Sequence, residues 1–153
     1  MQRNSHAQGT TEYLIILAIV IVIALVVVGV LGGFGSQGSA INASQSKSYW
    51  GSVQPLAVTD WLVTQSGTSS TLVFKNLTAN TIVLTDLNWN GTPIDITDLN
   101  VSPGGTTTVS NTAVSCGSSV GQPYSRTLGY TYNTANLTGA KVDGRSPIVG
   151  TCQ

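Results

Sequence analysis

The sequence predicts an α+β chain: a long N-terminal hydrophobic α-helix followed by a C-terminal antiparallel β-sandwich or small barrel. Three observations predict it. Tyr13 to Leu31 reads YLIILAIVIVIALVVVGVL, with no charge and no strongly polar side chain. From Val53 onward the apolar residues alternate with polar ones in short runs separated by turn residues. The two cysteines, Cys116 and Cys152, both lie in that second, polar part.

The 153 residues suit one modest domain with an appendage. Charged residues make up 8% and the formal net charge is zero, whereas about a quarter of an ordinary soluble domain is charged. No basic patch is available for a nucleic acid partner. Thr, Ser, Asn and Gln keep the remaining surface wet, a composition suited to an extracellular β domain.

Residues 1–7 (MQRNSHA) form a short polar leader with one cation, Arg3. It is not a standard secretory signal, because the apolar run lies after any plausible cut and stays in the product. Residues 8–50 are expected to be helical. Asn4, Ser5 or a Thr is available as a cap, and Glu12 is expected in the first turn, where a negative charge suits the helix dipole. The apolar run to Phe34 spans about 32 Å as a helix, enough to cross a hydrocarbon core. Its Ile and Val content suits a strand in water. Its length, and the need to pair every backbone group in lipid, favour the helix. It is apolar all round, so its neighbours are lipid or other apolar helices.

Gly29 and Gly33 form a small-xxx-small pair that admits a close helix; the same glycine cluster, with Gly32, Gly35 and Gly38, equally suits a juxtamembrane hinge. Ile41, Ala43 and Tyr49 continue an amphipathic helix to about Trp50, which Gly51 and Pro55 end.

Residues 53–153 read as short strands at 56–64, 71–76, 81–87, 92–96, the TTTVS run and 126–132, with 141–142 and 147–149 as candidates for short final strands around the Asp143-Gly144 turn; six or seven such strands suggest a sandwich or small barrel. In 81–87, Ile82 and Leu84 share one face, with Val83 and Leu87 on the other. Asn90-Gly91 and Pro103-Gly104-Gly105 are the clearest turns. A domain of this size has a modest core, and a bridge between its two cysteines would contribute roughly 4 kcal/mol in the chain-entropy model. The alternative is two buried thiols.

No catalytic, cofactor-binding or metal constellation is present. The one histidine is His6, in the leader, which leaves no Ser/His/Asp or Cys/His arrangement. Asp95 and Asp98 lack the ligand density and central glycine of a calcium loop and read as a solvated turn. The chain is therefore expected not to be an enzyme. Five Asn-x-Ser/Thr sequons occur, at Asn42, Asn76, Asn90, Asn100 and Asn136.

The string Gln8-Gly9-Thr10-Thr11-Glu12-Tyr13-Leu14, running at once into the apolar stretch, resembles the Q-x-S-x-E-Y-L junction of archaeal type IV pilins with class III signal peptides. Thr10 stands where that family usually has serine, and no Lys or Arg adjoins the cut. The resemblance implies a type IV pilin-like fold and cleavage between Ala7 and Gln8 by a membrane-embedded prepilin peptidase. It implies that Glu12 becomes the fifth residue of the mature chain. It further implies a membrane-inserted precursor, an assembly ATPase and a membrane platform protein. The product would be a homopolymeric extracellular filament at the cell surface, serving adhesion. Gln8, Glu12 and Tyr13 would carry subunit assembly, the Gln8 amine neutralising Glu12 of a neighbouring subunit. Competing readings are an N-terminally membrane-anchored surface binding module and a minor pilin outside the filament body.

Overall fold

The computed structural model describes residues 6–66 and 70–153, with side chains at 11–29, 42–66 and 70–153. The chain is α+β: among the described residues one helix, α1 (His6–Trp50), precedes nine strands. Two compact units are present, residues 1–38 and residues 39–153. The boundary falls inside α1, so its last turns belong to the β unit rather than to a separate helical domain.

In the first unit, α1 begins at His6 and carries no acidic residue in its first turn. Glu12 lies one turn further along than expected, because the leader residues His6 and Ala7 are themselves helical. Among the described residues, Thr11–Gly29 is the one span long and apolar enough to cross a membrane.

The second unit holds β1 (Leu56–Leu62), β2 (Thr71–Asn76), β3 (Ile82–Trp89), β4 (Thr92–Val101), β5 (Thr106–Ser110), β6 (Pro123–Arg126), β7 (Leu128–Asn133), β8 (Ala140–Asp143) and β9 (Ile148–Thr151). They form an antiparallel sheet of order β1-β2-β5, a second of order β4-β3-β7-β8, and a β6-β9 ribbon. The two larger sheets enclose one core. Leu56, Val58, Leu72, Phe74 and Val109 come from the first; Ile82, Leu84, Leu87, Trp89, Leu128 and Tyr130 come from the second. Phe74 and Tyr130 meet edge to face across it at 5.7 Å, the geometry that aromatic quadrupoles favour.

Nine strands replace the six or seven expected. β6 is an addition, and β4 runs on to Val101 instead of stopping at Ile96. Asp95 and Asp98 therefore sit on a strand, not in a turn. There, residues 96–98 bulge out between the pairs Leu84–Leu99 and Asp86–Asp95. β3 carries its own irregularity at Thr85, which shifts the phase of its side chains. Leu87 consequently joins Ile82 and Leu84 on the buried face, not Val83 on the other. The final strands do not form a hairpin at Asp143-Gly144: β8 pairs with β7, and β9 with β6. The Asn90-Gly91 turn has φ of 52° and 83°, both left-handed as a two-residue type I′ hairpin requires. Cys116 and Cys152 form a disulfide with Cα atoms 5.7 Å apart, which ties the end of β9 to the segment before β6.

Candidate assembly helix and its anchor in the β unit

The residues expected to carry assembly lie on α1. Thr11–Gly29 spans 19 residues with mean hydropathy 3.0 and none of it buried. At 1.5 Å per residue this is about 28 Å of helix, close to the hydrocarbon thickness of a bilayer. The span therefore meets the requirement for a membrane anchor or an apolar signal segment. Its apolar side chains face every direction: Leu14, Ile16, Ile19, Val22, Leu25 and Val28 are all more than half exposed. An unmet apolar surface of this extent stabilises either insertion into lipid or packing against other apolar helices.

Glu12 and Tyr13 are exposed at the N-terminal end of the span, and Glu12 is the one glutamate in the sequence. Ala7 and Gln8 lie in the helical backbone, but their side chains are outside the described residues, and of Gly32, Gly33, Gly35 and Gly38 only the helical backbone is described. Gly29 is described: a Cβ built there meets nothing within 4 Å.

The other end of α1 is held by the amphipathic stretch expected to run to Trp50, with Ser46 as the member that the sequence did not single out. Ser46 and Trp50 are buried and Ala43 and Tyr49 half-buried, a stripe at helical spacing. This stripe grips the β8–β9 connection. Ser46 Oγ donates to Pro147 O at 2.7 Å, and Trp50 Nε1 donates to Ser146 O at 3.1 Å. The Arg145 amide donates to Tyr49 Oη at 2.8 Å. Gly144 lies so close under the Trp50 ring that no Cβ fits there. On the flank, Lys47 Nζ sits 3.1 Å from Asp60 Oδ1 and 5.7 Å from the centre of the Trp61 ring. The Lys47 hydrogen bond, helped by the Trp61 amide, holds the Asp60 carboxyl below its ordinary pKa. Both partners are exposed, so the pair adds little stability. The signal available in the sequence was the aromatic pair Tyr49-Trp50 just before the Gly51 stop.

The sequons separate by environment. Asn42, Asn90, Asn100 and Asn136 are exposed, Asn90 in its hairpin turn and Asn136 in the β7–β8 connection. Asn76 is wholly buried. Its Nδ2 donates to Asn80 O and Val101 O at 2.7 and 2.9 Å. Its Oδ1 accepts from the Thr78 amide and hydroxyl, both at 2.8 Å. The carboxamide is spent closing the β2–β3 turn, so the folded chain offers no acceptor there.

Among the described residues, no group of three or more His, Cys, Asp or Glu is placed to hold a metal ion. What the described site offers is a surface: an uncovered apolar helix with a carboxylate near one end, in a chain whose helix terminus is locked into a disulfide-bonded β unit. No family model matches this chain, and no curated protein does.

Proposed function

We propose that this chain is a structural subunit of an archaeal type IV pilus, a homopolymer built through α1 and displayed at the cell surface for adhesion. The observation that carries the reading is the Thr11–Gly29 helix, uncovered on every side and led by Gln8-Gly9-Thr10-Thr11-Glu12-Tyr13-Leu14. In this reading the precursor waits in the membrane with the leader inside, in keeping with Arg3. Prepilin peptidase cuts between Ala7 and Gln8. An assembly ATPase and a membrane platform protein then move the helices from lipid into a filament core, with the β units as the outer wall. Glu12 needs a partner there, because an unpaired carboxylate among apolar helices is strongly disfavoured. The new amine of Gln8 on a neighbouring subunit supplies it.

The test is mass spectrometry of sheared surface filaments together with a Glu12→Ala variant. The pilin reading expects a mature chain beginning at Gln8. It also expects Glu12→Ala to insert in the membrane normally while filaments are lost. A cell-surface protein that retains Met1 and forms no filaments is the anchored binding module. A Gln8-started chain present only as a trace component of filaments is a minor pilin.

A further inference from the structure

The strand edges of the β unit are not treated alike. Exposed edges recruit other strands, and proteins blunt them with charges, prolines, bulges or short length. β4 carries Pro93, Asp95, Asp98 and its bulge. β8 has four residues, two of them Lys141 and Asp143. β1 has Asp60 and a register shift at Thr59. β6 has Pro123 and Arg126. The free side of β9 is occupied, since Trp61 Nε1 donates to Val149 O at 3.2 Å and the Gln153 amide to Val63 O at 3.1 Å.

β5 has none of these devices. It is an edge of its sheet, it reads TTTVS, and its register with β2 is unbroken. No charged residue occurs anywhere between Asp98 and Arg126. A groove of about 310 Å³ runs beside it, walled by Asp95, Ile96, Thr97 and Leu99 of β4 and by Thr108 and Ser110 of β5.

The hydrogen-bond phase of this edge follows from its flanks. The Asn111 amide donates to Ser70 O, and the Asn76 amide donates to Gly105 O, at 3.1 and 2.9 Å. The residues of β5 bonded to β2 are therefore the odd-numbered ones, Thr107 and Val109. The N–H and C=O groups of Thr106, Thr108 and Ser110 point the other way, off the sheet. The side chains of these same three residues are exposed on one face, while Val109 points into the core.

This edge is complementary to itself. Two antiparallel copies centred on Thr108 align Thr108 with Thr108 of the second copy, and Thr106 with its Ser110. All three pairs are of the doubly hydrogen-bonded kind, and their side chains are Thr–Thr and Thr–Ser, which favour pairing. No like charges meet. Lys75, beside Thr106 on β2, faces the strand that carries Thr71 of the second copy rather than Lys75. We propose that β5 is a homotypic docking edge through which two copies of this chain join their three-stranded sheets into one. The inference does not rest on the pilin reading. It concerns the β unit alone: such a two-fold pair joins two anchored modules or subunits of two different filaments, since it cannot relate neighbours within one polar filament.

Cysteine pairing in the purified full chain, in detergent, tests the register. Both native cysteines are already bridged, so an added thiol is the reactive one. Cα atoms in a doubly bonded pair lie about 5.5 Å apart, within disulfide reach. Thr108→Cys should therefore give several-fold more disulfide-linked dimer under mild oxidation than Thr138→Cys on the distant β7–β8 connection. Thr106→Cys alone and Ser110→Cys alone should stay monomeric, because each thiol lies about 13 Å along the strand from its own counterpart. Mixing those two variants should give the heterodimer. Adding Thr108→Pro to both should abolish it, since that substitution removes an outward N–H and leaves the β2 ladder intact. Adding Thr108→Lys, which sets like charges opposite each other, should abolish it too. The proposal is overturned if Thr108→Cys dimerises no more than Thr138→Cys. It is equally overturned if Thr106→Cys and Ser110→Cys each dimerise alone as readily as in the mixture. Glu12→Ala should change none of these yields.

Discussion

Tyr130 reaches across the sandwich to Leu56. Its hydroxyl donates to Leu56 O at 2.8 Å and accepts from the Leu56 amide at 3.3 Å, with both residues buried. The contact joins β7 of one sheet to the first residue of β1 in the other. It satisfies two backbone groups at the point where the chain enters the β unit. Tyr130→Phe keeps the ring packing and strands those groups, so it should destabilise the unit by about 1–3 kcal/mol. Urea unfolding with an unchanged m-value is the check.

Burial pushes the Tyr130 hydroxyl well above the ordinary tyrosine range, against the opposing effect of the hydrogen bond it accepts from the Leu56 amide. It pushes Tyr124 up to about 12. Both groups hold their protons more tightly folded than unfolded. Their stabilising contribution is therefore complete below about pH 10, where unfolded tyrosines remain protonated. It declines as pH rises from there toward the folded values. Stability should fall between pH 10 and 12, and less steeply in Tyr124→Phe. Thermal melts across that range, alongside the ultraviolet tyrosinate signal, measure it.

Asn76 makes a prediction on two readouts. Asn76→Ala leaves Val101 O and Asn80 O without their donor and the Thr78 amide without its acceptor, at a loss of about 1–3 kcal/mol. Asn76→Asp should be comparably harmful, because a carboxylate cannot donate to two carbonyls. In a glycosylating host, peptide mapping of the folded protein should find glycan among Asn42, Asn90, Asn100 and Asn136, and none at Asn76.

Gly144 is fixed by what lies above it. A methyl group there runs into the Trp50 ring and the Leu128 carbonyl, so Gly144→Ala should destabilise by about 1–3 kcal/mol through overpacking. Trp50 fluorescence should shift red as the indole is pried from its site. Trp50→Leu, which removes the obstruction, should lessen the effect of Gly144→Ala in the double variant. Additive losses would show that the two residues do not meet.

The helix was legible from the sequence because Tyr13–Leu31 is a long apolar run that no turn residue interrupts until Gly29. Most strands were legible because Thr71–Asn76 and Leu128–Tyr132 alternate cleanly. The misses have local causes. One extra residue at Thr85 reverses the side-chain phase, so Leu87 read as outward-facing. β6 is four residues beginning with Pro123 and has only Tyr124 to announce it. Asn76 could be set apart from the turn sequons Asn90 and Asn136 only by following a strand closely, because the carbonyl that defines its role, that of Val101, arrives from the far end of β4. The Ser46 and Trp50 anchor depends on a connection about a hundred residues away, and the helical spacing that marks this face of α1 does not say what it packs against.

The grip of α1 on the β8–β9 connection also sets how the β unit answers a pull along the helix. Ser46, Tyr49 and Trp50 are spaced over one helical turn, and they bond Pro147, Arg145 and Ser146 in turn. Three adjacent residues of the connection are thus held within one turn of the helix, so an axial load falls on several bonds together instead of peeling them one by one. The connection is itself stitched at its far end, where β9 runs into the Cys116–Cys152 bridge. A tug on the helix thus loads β9 first, and only beyond it meets the covalent staple that keeps the chain end tied to the segment before β6, the arrangement of a strap sewn at both ends.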